Sequence, residues 1–153
     1  MAEAQRTLVI IKPDGVQRSL IGEIIKRLEQ RGLRILGLQI GTIDETTARK
    51  HYVEHEGKGF YDSLVSYITS GPSVTMVLEG PDAIAVTRST VGATRPAEAA
   101  PGTIRADYGL TVGRNLIHAS DSPTSAEREV ELFFGGGALA SYTRDIDRWI
   151  LDE

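Results

Sequence analysis

The chain contains no cysteine. That absence excludes a thiol nucleophile, a disulfide framework and any zinc or iron–sulfur site built on thiolates. Long hydrophobic runs are missing as well. The longest near the start is Leu8-Val9-Ile10-Ile11, far short of the roughly 18 residues that mark a membrane span. Positive charge is not in excess: 17 Lys+Arg against 21 Asp+Glu leave a net charge of −4. This balance argues against nonspecific duplex binding, although it leaves room for a local basic pocket. No G-x-x-x-x-G-K-[ST] occurs anywhere, which excludes a P-loop enzyme. The opening stretch MAEAQRTLVIIKPDG has neither a basic region nor a signal-type apolar region. A cytoplasmic protein with no membrane and no specific nucleic-acid partner is therefore expected. There is no internal repeat, low-complexity tract or linker.

What remains is ordinary folded composition, 41% hydrophobic and 25% charged over 153 residues. At roughly 150 residues per domain, this predicts a single domain over 1–153 with a sizeable core of its own.

Thr7–Ile11 is a nearly continuous, β-branched apolar run closed by Lys12-Pro13-Asp14-Gly15, the pattern of a buried strand entering a turn. Ile21, Ile24, Ile25 and Leu28 then recur at helical spacing, and Gly32 stands where a helix-terminating glycine belongs. From Arg34 to Ile43 the period is two, with Leu36, Leu38 and Ile40 on one large-apolar face. Residues 45–56 and 60–70 read as two shorter helices. A third strand at 73–80 follows, and then a helix with Asp82 as its cap. Periodicity vanishes from Gly92 to Gly113, a Gly/Pro-rich connection long enough to carry function or an interface. Leu116-Ile117 reads as a short strand. Ser122-Pro123 opens a last helix through Phe134, with Thr124-x-x-Glu127 as a candidate capping box. Setting the helical pair aside leaves βαββαβ. The expected fold is α+β: a ferredoxin-like sandwich with an antiparallel sheet, an inserted helical pair and a long 92–114 loop.

Two textual matches carry little. His51-Tyr52-Val53-Glu54-His55 fits the H-x-x-E-H zinc-peptidase pattern, but a zinc peptidase would still need a third ligand, a substrate cleft and usually a larger chain, so no metal ligands are assigned. Gly135–Ala140 fits G-x-G-x-x-A, yet no βαβ unit and ribose-binding acid can follow it. It reads as a loop.

The stretch NLIHASDSPTSAERE at 115–129 says more. His118 follows an apolar pair just ahead of a helix start, and Glu129 on that helix can swing back to it. A carboxylate bound to one imidazole nitrogen fixes the tautomer and leaves the other nitrogen as a free nucleophile. Lys12, Arg88 and Arg105 supply cations for an anion, and Thr94 and Asn115 supply neutral donors. Phosphoryl transfer rests on that kit, because it depends on positioning and on neutralising charge over the phosphate oxygens.

At these residues the sequence resembles the nucleoside diphosphate kinases over essentially its whole length. TLVIIKPDGVQR at 7–18, HYVEHEGKGFYDSLVSYITSGP at 51–72, VGATRPAEAAPGTIRADYG at 91–109 and NLIHASDS at 115–122 carry the likeness. The last is close to the family signature N-x-x-H-G-S-D. The resemblance implies reversible ping-pong transfer of the γ-phosphoryl from a nucleoside triphosphate, chiefly ATP, to a nucleoside diphosphate through a phosphohistidine on His118. It further implies that Tyr52 and Glu129 position the imidazole, with Ser120 linked to Glu129. Lys12 and Asn115 would meet the sugar hydroxyls, with Lys12 also near the transferring phosphate. Arg88, Thr94 and Arg105 would hold the phosphates, and Phe60 would stack on the base. Mg²⁺ would travel with the nucleotide phosphates, contacted through water by Asp121 at most. A homo-oligomer is implied too, a hexamer with a tetramer as the alternative, using the 92–114 loop and a C-terminal tail whose Trp149, Ile150 and Leu151 seek a neighbour. The competing reading is a catalytically impaired nucleotide-binding protein of the same fold. Four departures from the family pattern bear on it: Ala119 for Gly after the histidine, Ala106 for Gly, Tyr108 for Phe and Arg95 for Asn.

Overall fold

A computed structural model describes residues 4–137 and 139–152. Ala138 of the glycine-rich run lies outside the described residues, as do 1–3 and 153 of the expected domain. Strand β1 (Ala4–Ile11) leads through a short helix α1 (Pro13–Gln17) into α2 (Ile21–Gln30) and strand β2 (Arg34–Thr42). Helices α3 (Glu45–His51) and α4 (Tyr61–Ile68) precede β3 (Pro72–Pro81) and α5 (Ala83–Val91). A further helix α6 (Ile104–Tyr108), strand β4 (Ile117–Ala119), α7 (Pro123–Phe134) and α8 (Asp147–Ile150) complete the order. The four strands form one antiparallel sheet in the order β2-β3-β1-β4, as the βαββαβ reading requires. Among the described residues, no helix is long and apolar enough to cross a membrane.

Both faces of the sheet are covered, which explains the unbroken apolar run in β1. Val9 and Ile11 join Met76 and Leu78 of β3 beneath α2, α5 and α6, while Leu8, Ile10 and Val77 pack under α3 and α4. A strand with two buried faces has no polar face to alternate with.

Four local expectations are corrected. In β2 only Leu36 is buried, whereas Leu38 and Ile40 are 53% and 64% exposed. The register shifts between Ile35 and Gly37; this bulge re-aims the strand, which lies at the sheet edge. Asp82 does begin α5, but at φ +51° and without a side-chain cap. The Gln5 side chain accepts the Ile84 N–H instead, at 2.9 Å. The cap of α7 is Ser122, which accepts from Ser125 N, and not the Thr124-x-x-Glu127 box. The helix expected over 45–56 ends at His51 and gives way to a separate 3₁₀ turn at Val53–His55. Gly32 does terminate α2 in the left-handed region, at φ +111°. The 92–114 segment lacks periodicity because it holds only α6 and two 3₁₀ turns.

The tail folds back on its own chain. Arg144 donates to the Gly32 and Leu33 carbonyls, and the Tyr142 hydroxyl to that of Ile35. Leu151 is half-buried, while Trp149 remains 81% exposed.

Candidate active site

Register places the histidine. β4 pairs with β1 so that Ile10 stands opposite His118, and paired residues share a face of the sheet. His118 therefore projects toward the side occupied by α3 and α7. The chain then leaves β4 through Ser120, whose N–H donates to the Leu8 carbonyl at 3.1 Å and whose hydroxyl accepts from Leu8 N at 3.2 Å. Ser122 and Pro123 start α7 immediately afterwards, and the second turn of that helix returns Glu129 over β4.

Glu129 is 3% exposed. His118 Nε2 lies 3.0 and 2.9 Å from its two oxygens, and the Ser120 hydroxyl donates to Oε1 at 2.6 Å. Burial is the largest influence on this carboxyl and pushes its pKa up. Hydrogen bonds from His118 and Ser120, with the nearby imidazoles, outweigh it and hold Glu129 below its ordinary value. Nε2 is thereby the protonated nitrogen of His118, and Nδ1 is bare toward the cleft.

The cleft in front holds about 510 Å³, within the size range of small-ligand sites. Lys12, Tyr52, Phe60, Arg88, Thr94, Arg105, Asn115, His118 and Glu129 all line it. Ser120 lies behind Glu129, fully buried. The structure thus gathers every residue that the sequence nominated.

Each is held by identifiable contacts. Lys12 Nζ donates to Asn115 Oδ1 at 2.9 Å, and Asn115 Nδ2 to the Thr94 carbonyl at 3.0 Å. Burial, with Arg105 nearby, lowers the Lys12 pKa to about 8. Arg105 is buried and bonded through Nε to the Asn115 carbonyl and through Nη1 to that of Gly92, at 3.2 and 3.0 Å. It ties the 92–114 segment to β4 while facing the cleft. Burial, then Arg88, lowers its pKa to about 10. Arg88 donates to the Ala119 carbonyl at 2.9 Å. Phe60 stands at the mouth, half exposed, with the His55 ring 5.2 Å away. Tyr52 is buried beside Glu129, and burial pushes its hydroxyl up to about 12. The cleft also receives Asp121, an exposed carboxylate held below its ordinary pKa chiefly by the Ser125 hydroxyl.

The departures from the family pattern are accommodated. Ala119 sits in β4 opposite Val9, and its φ is not positive, so its β-carbon adds no left-handed strain. Thr103 caps the Ala106 N–H, and Tyr108 packs against the core under Arg27. Arg95 is exposed.

Sequence reasoning missed His51. The H-x-x-E-H match placed it on one helix face with His55, but α3 ends between them. His51 turns inward, 5% exposed, and its ring meets that of His118 edge-on at 4.6 Å. Burial, then His118, lowers its pKa to about 3. Asp14 was also passed over. It accepts the Leu116 N–H at 3.1 Å and the Tyr67 hydroxyl, holding Leu116 at φ +74° between Asn115 and β4.

Comparison with known proteins agrees with this geometry. The profile of a family described as nucleoside diphosphate kinase matches residues 5–138. A nucleoside diphosphate kinase of Thermomicrobium roseum is 57% identical over 96% of this chain and 99% of its own. One from Archaeoglobus fulgidus is 56% identical over 97% and 99%. The solved structure of a halophilic nucleoside diphosphate kinase from Halobacterium salinarum in complex with CDP superposes with a TM-score of 0.95. It shares 51% identity and covers 98% of this chain and 100% of that one. A nucleoside diphosphate kinase family protein from Babesia bovis gives a TM-score of 0.94 at 42% identity, over 96% and 99%. With that fold, that histidine–carboxylate pair and those relatives, the chain belongs to the nucleoside diphosphate kinase family of phosphotransferases.

Proposed function

We propose that this enzyme carries out its family's reversible ping-pong transfer with His118 Nδ1 as the phosphoryl carrier. The supporting observation is the buried Ser120–Glu129–His118 chain of hydrogen bonds, which leaves Nδ1 as the one imidazole nitrogen able to attack. In the first half-reaction Nδ1 forms a P–N bond to the γ-phosphorus as the β–γ bridging P–O bond breaks. The leaving diphosphate keeps that electron pair. The proton stays on Nε2, and Glu129 stabilises the positive ring. In the second half-reaction a terminal oxygen of another nucleoside diphosphate attacks, and the P–N bond breaks.

Lys12, Arg88 and Arg105 face the equatorial oxygens, where transition-state charge accumulates. Asn115 and Thr94 complete the donor set, with Lys12 and Asn115 also placed for the sugar hydroxyls. Phe60 offers a stacking face at the mouth. Stacking favours no particular base, because every base has a π-face.

Family enzymes depend on Mg²⁺, and the residues present fit an ion that arrives with the nucleotide. Glu129 is committed to His118 and Ser120; of the other carboxylates lining the cleft, Glu54 lies toward Arg128 and Asp121 lies near Arg88. Mg²⁺ is characteristically held by substrate phosphates with one or two carboxylates, and when bound it neutralises charge on the phosphates. Asp121 would meet its water shell.

A homo-oligomer, a hexamer before a tetramer, is the proposed assembly. Its support is the apolar surface left uncovered at Leu110 and Trp149, 84% and 81% exposed, on the loop and tail. The cytoplasm, which holds the nucleotide pools, is the proposed compartment. The test of function is initial-rate kinetics with ATP and GDP. Parallel double-reciprocal lines support the two-step reading, and intersecting lines contradict it.

A further inference from the structure

The motif that suggested a peptidase zinc site separates into two unrelated histidines, yet one of them meets a different pair. One potential ligand atom from each of His51, His118 and Glu129 lies within 4.8 Å of the other two. Glu129 Oε2 is 2.9 Å from His118 Nε2 and 3.5 Å from His51 Nδ1. Two donors at about 2.0–2.1 Å from a tetrahedral zinc ion stand about 3.3 Å apart, and the two carboxylate–imidazole separations bracket that spacing. His51 Nδ1 is also a buried polar atom with no hydrogen-bond partner among the described residues, on a side chain only 2% exposed. Orphaned buried nitrogens are costly and uncommon, and this one is aimed at the carboxylate.

We propose that His51, His118 and Glu129, which all line the cleft, form an inhibitory site for a borderline transition-metal ion, Zn²⁺ by its chemistry, with water as its remaining ligand. Two imidazoles and a carboxylate with one open position are an established zinc donor set. Mg²⁺ demands octahedral oxygen ligation and parts reluctantly with water, so the reaction's own cation does not compete. Lys12, Arg88, Arg105 and Arg128 surround the cluster and weaken the binding of any dication. The affinity therefore comes from nitrogen lone pairs, which favour Zn²⁺ over harder ions. His118 Nε2 releases its proton to solvent when the metal binds. Ser120 remains on Glu129 Oε1 as the outer partner that orients the carboxylate. Metal on Nε2 withdraws electron density from Nδ1 and tethers the ring, so phosphoryl transfer stops until a chelator removes the ion. The inhibition rests on His118 as phosphoryl carrier; the binding does not.

Metal-stripped enzyme titrated with Co²⁺ and Zn²⁺, without nucleotide, tests the site directly. One ion per chain is expected by calorimetry. Co²⁺ should give an intense tetrahedral visible band, bleached by Zn²⁺ and untouched by Mg²⁺. X-ray absorption of the wild-type zinc complex should show two imidazole nitrogens with oxygen. His51→Gln should lose the band, while His55→Gln should keep it. Buffered Zn²⁺ should bring wild-type transfer to background, with recovery on chelation. An octahedral Co²⁺ spectrum, a band that survives His51→Gln or one lost in His55→Gln overturns the site. The wild-type absorption spectrum decides the matter even if His51→Gln does not fold. Tight binding with undiminished transfer overturns inhibition. Absence of a phosphoenzyme on the zinc-free protein given Mg²⁺ and ATP is instead a failure of the His118 reading.

Discussion

At the scale of single residues, one buried carboxylate sets the chemistry of the site. Glu129 is ionised in the core because Ser120 and His118 donate to it, and it returns that stabilisation by fixing which imidazole nitrogen carries a proton. Glu129→Gln keeps the size but removes the charge, and an amide group turned toward His118 favours the other tautomer. kcat should fall about 10–100-fold, the cost typical of losing a group that orients a reacting ligand, with KM little changed. A variant with wild-type kcat would contradict the role. Lys12 makes a separate prediction. With its folded pKa lowered to about 8, the ammonium is present below pH 8 and is lost as pH rises through it. kcat/KM reports the free enzyme, so it should break downward near pH 8. Lys12→Arg, charged at every accessible pH, should move that break upward, and an unmoved break would assign it to another group. The His118–Glu129 pair was legible in the sequence because the helix start at Ser122-Pro123 fixes where the second turn points. His51 was not, because its pairing depends on where α3 stops, and the H-x-x-E-H spacing hides that end.

At the scale of elements, the sequence states the strands and long helices well, since apolar periodicity marks burial directly. Tertiary contacts overrule it at the ends. Asp82 looks like a cap, but Gln5, 79 positions away, takes the amide. Leu38 and Ile40 look like core until the bulge in β2 re-aims them. The 92–114 segment has no periodicity to read, because long-range bonds from Arg105 hold it instead. Gly92 is the hinge of that arrangement. Its φ is +95°, its carbonyl accepts from Arg105, and an added β-carbon would come within 2.7 Å of Thr103 Cβ. Gly92→Ala should cost about 1–3 kcal/mol for the backbone alone, and more for the clash. Calorimetry should show Tm falling by about 2–4 °C per kcal/mol, with kcat/KM reduced as Arg105 and Thr94 shift. An unchanged Tm would show that the loop relaxes freely.

At the scale of the whole molecule, apolar side chains are left facing water where the sequence proposed contacts with a neighbour. Leu110 and Val112 lie on the long segment and Trp149 on the tail. The tail is nevertheless pinned to its own chain through Tyr142 and Arg144, so only its apolar tip is offered outward. Light scattering at micromolar concentration should report six chains per particle, and a monomer would overturn the assembly.

His118 is proposed to carry the phosphoryl group itself. The direct measurement is incubation of the wild type and of His118→Ala with Mg²⁺ and γ-labelled ATP, without acceptor. Acid-labile, alkali-stable label is expected on the wild type alone, discharged by added GDP as labelled GTP. Label on His118→Ala, or an unlabelled wild type that still binds nucleotide, would contradict it.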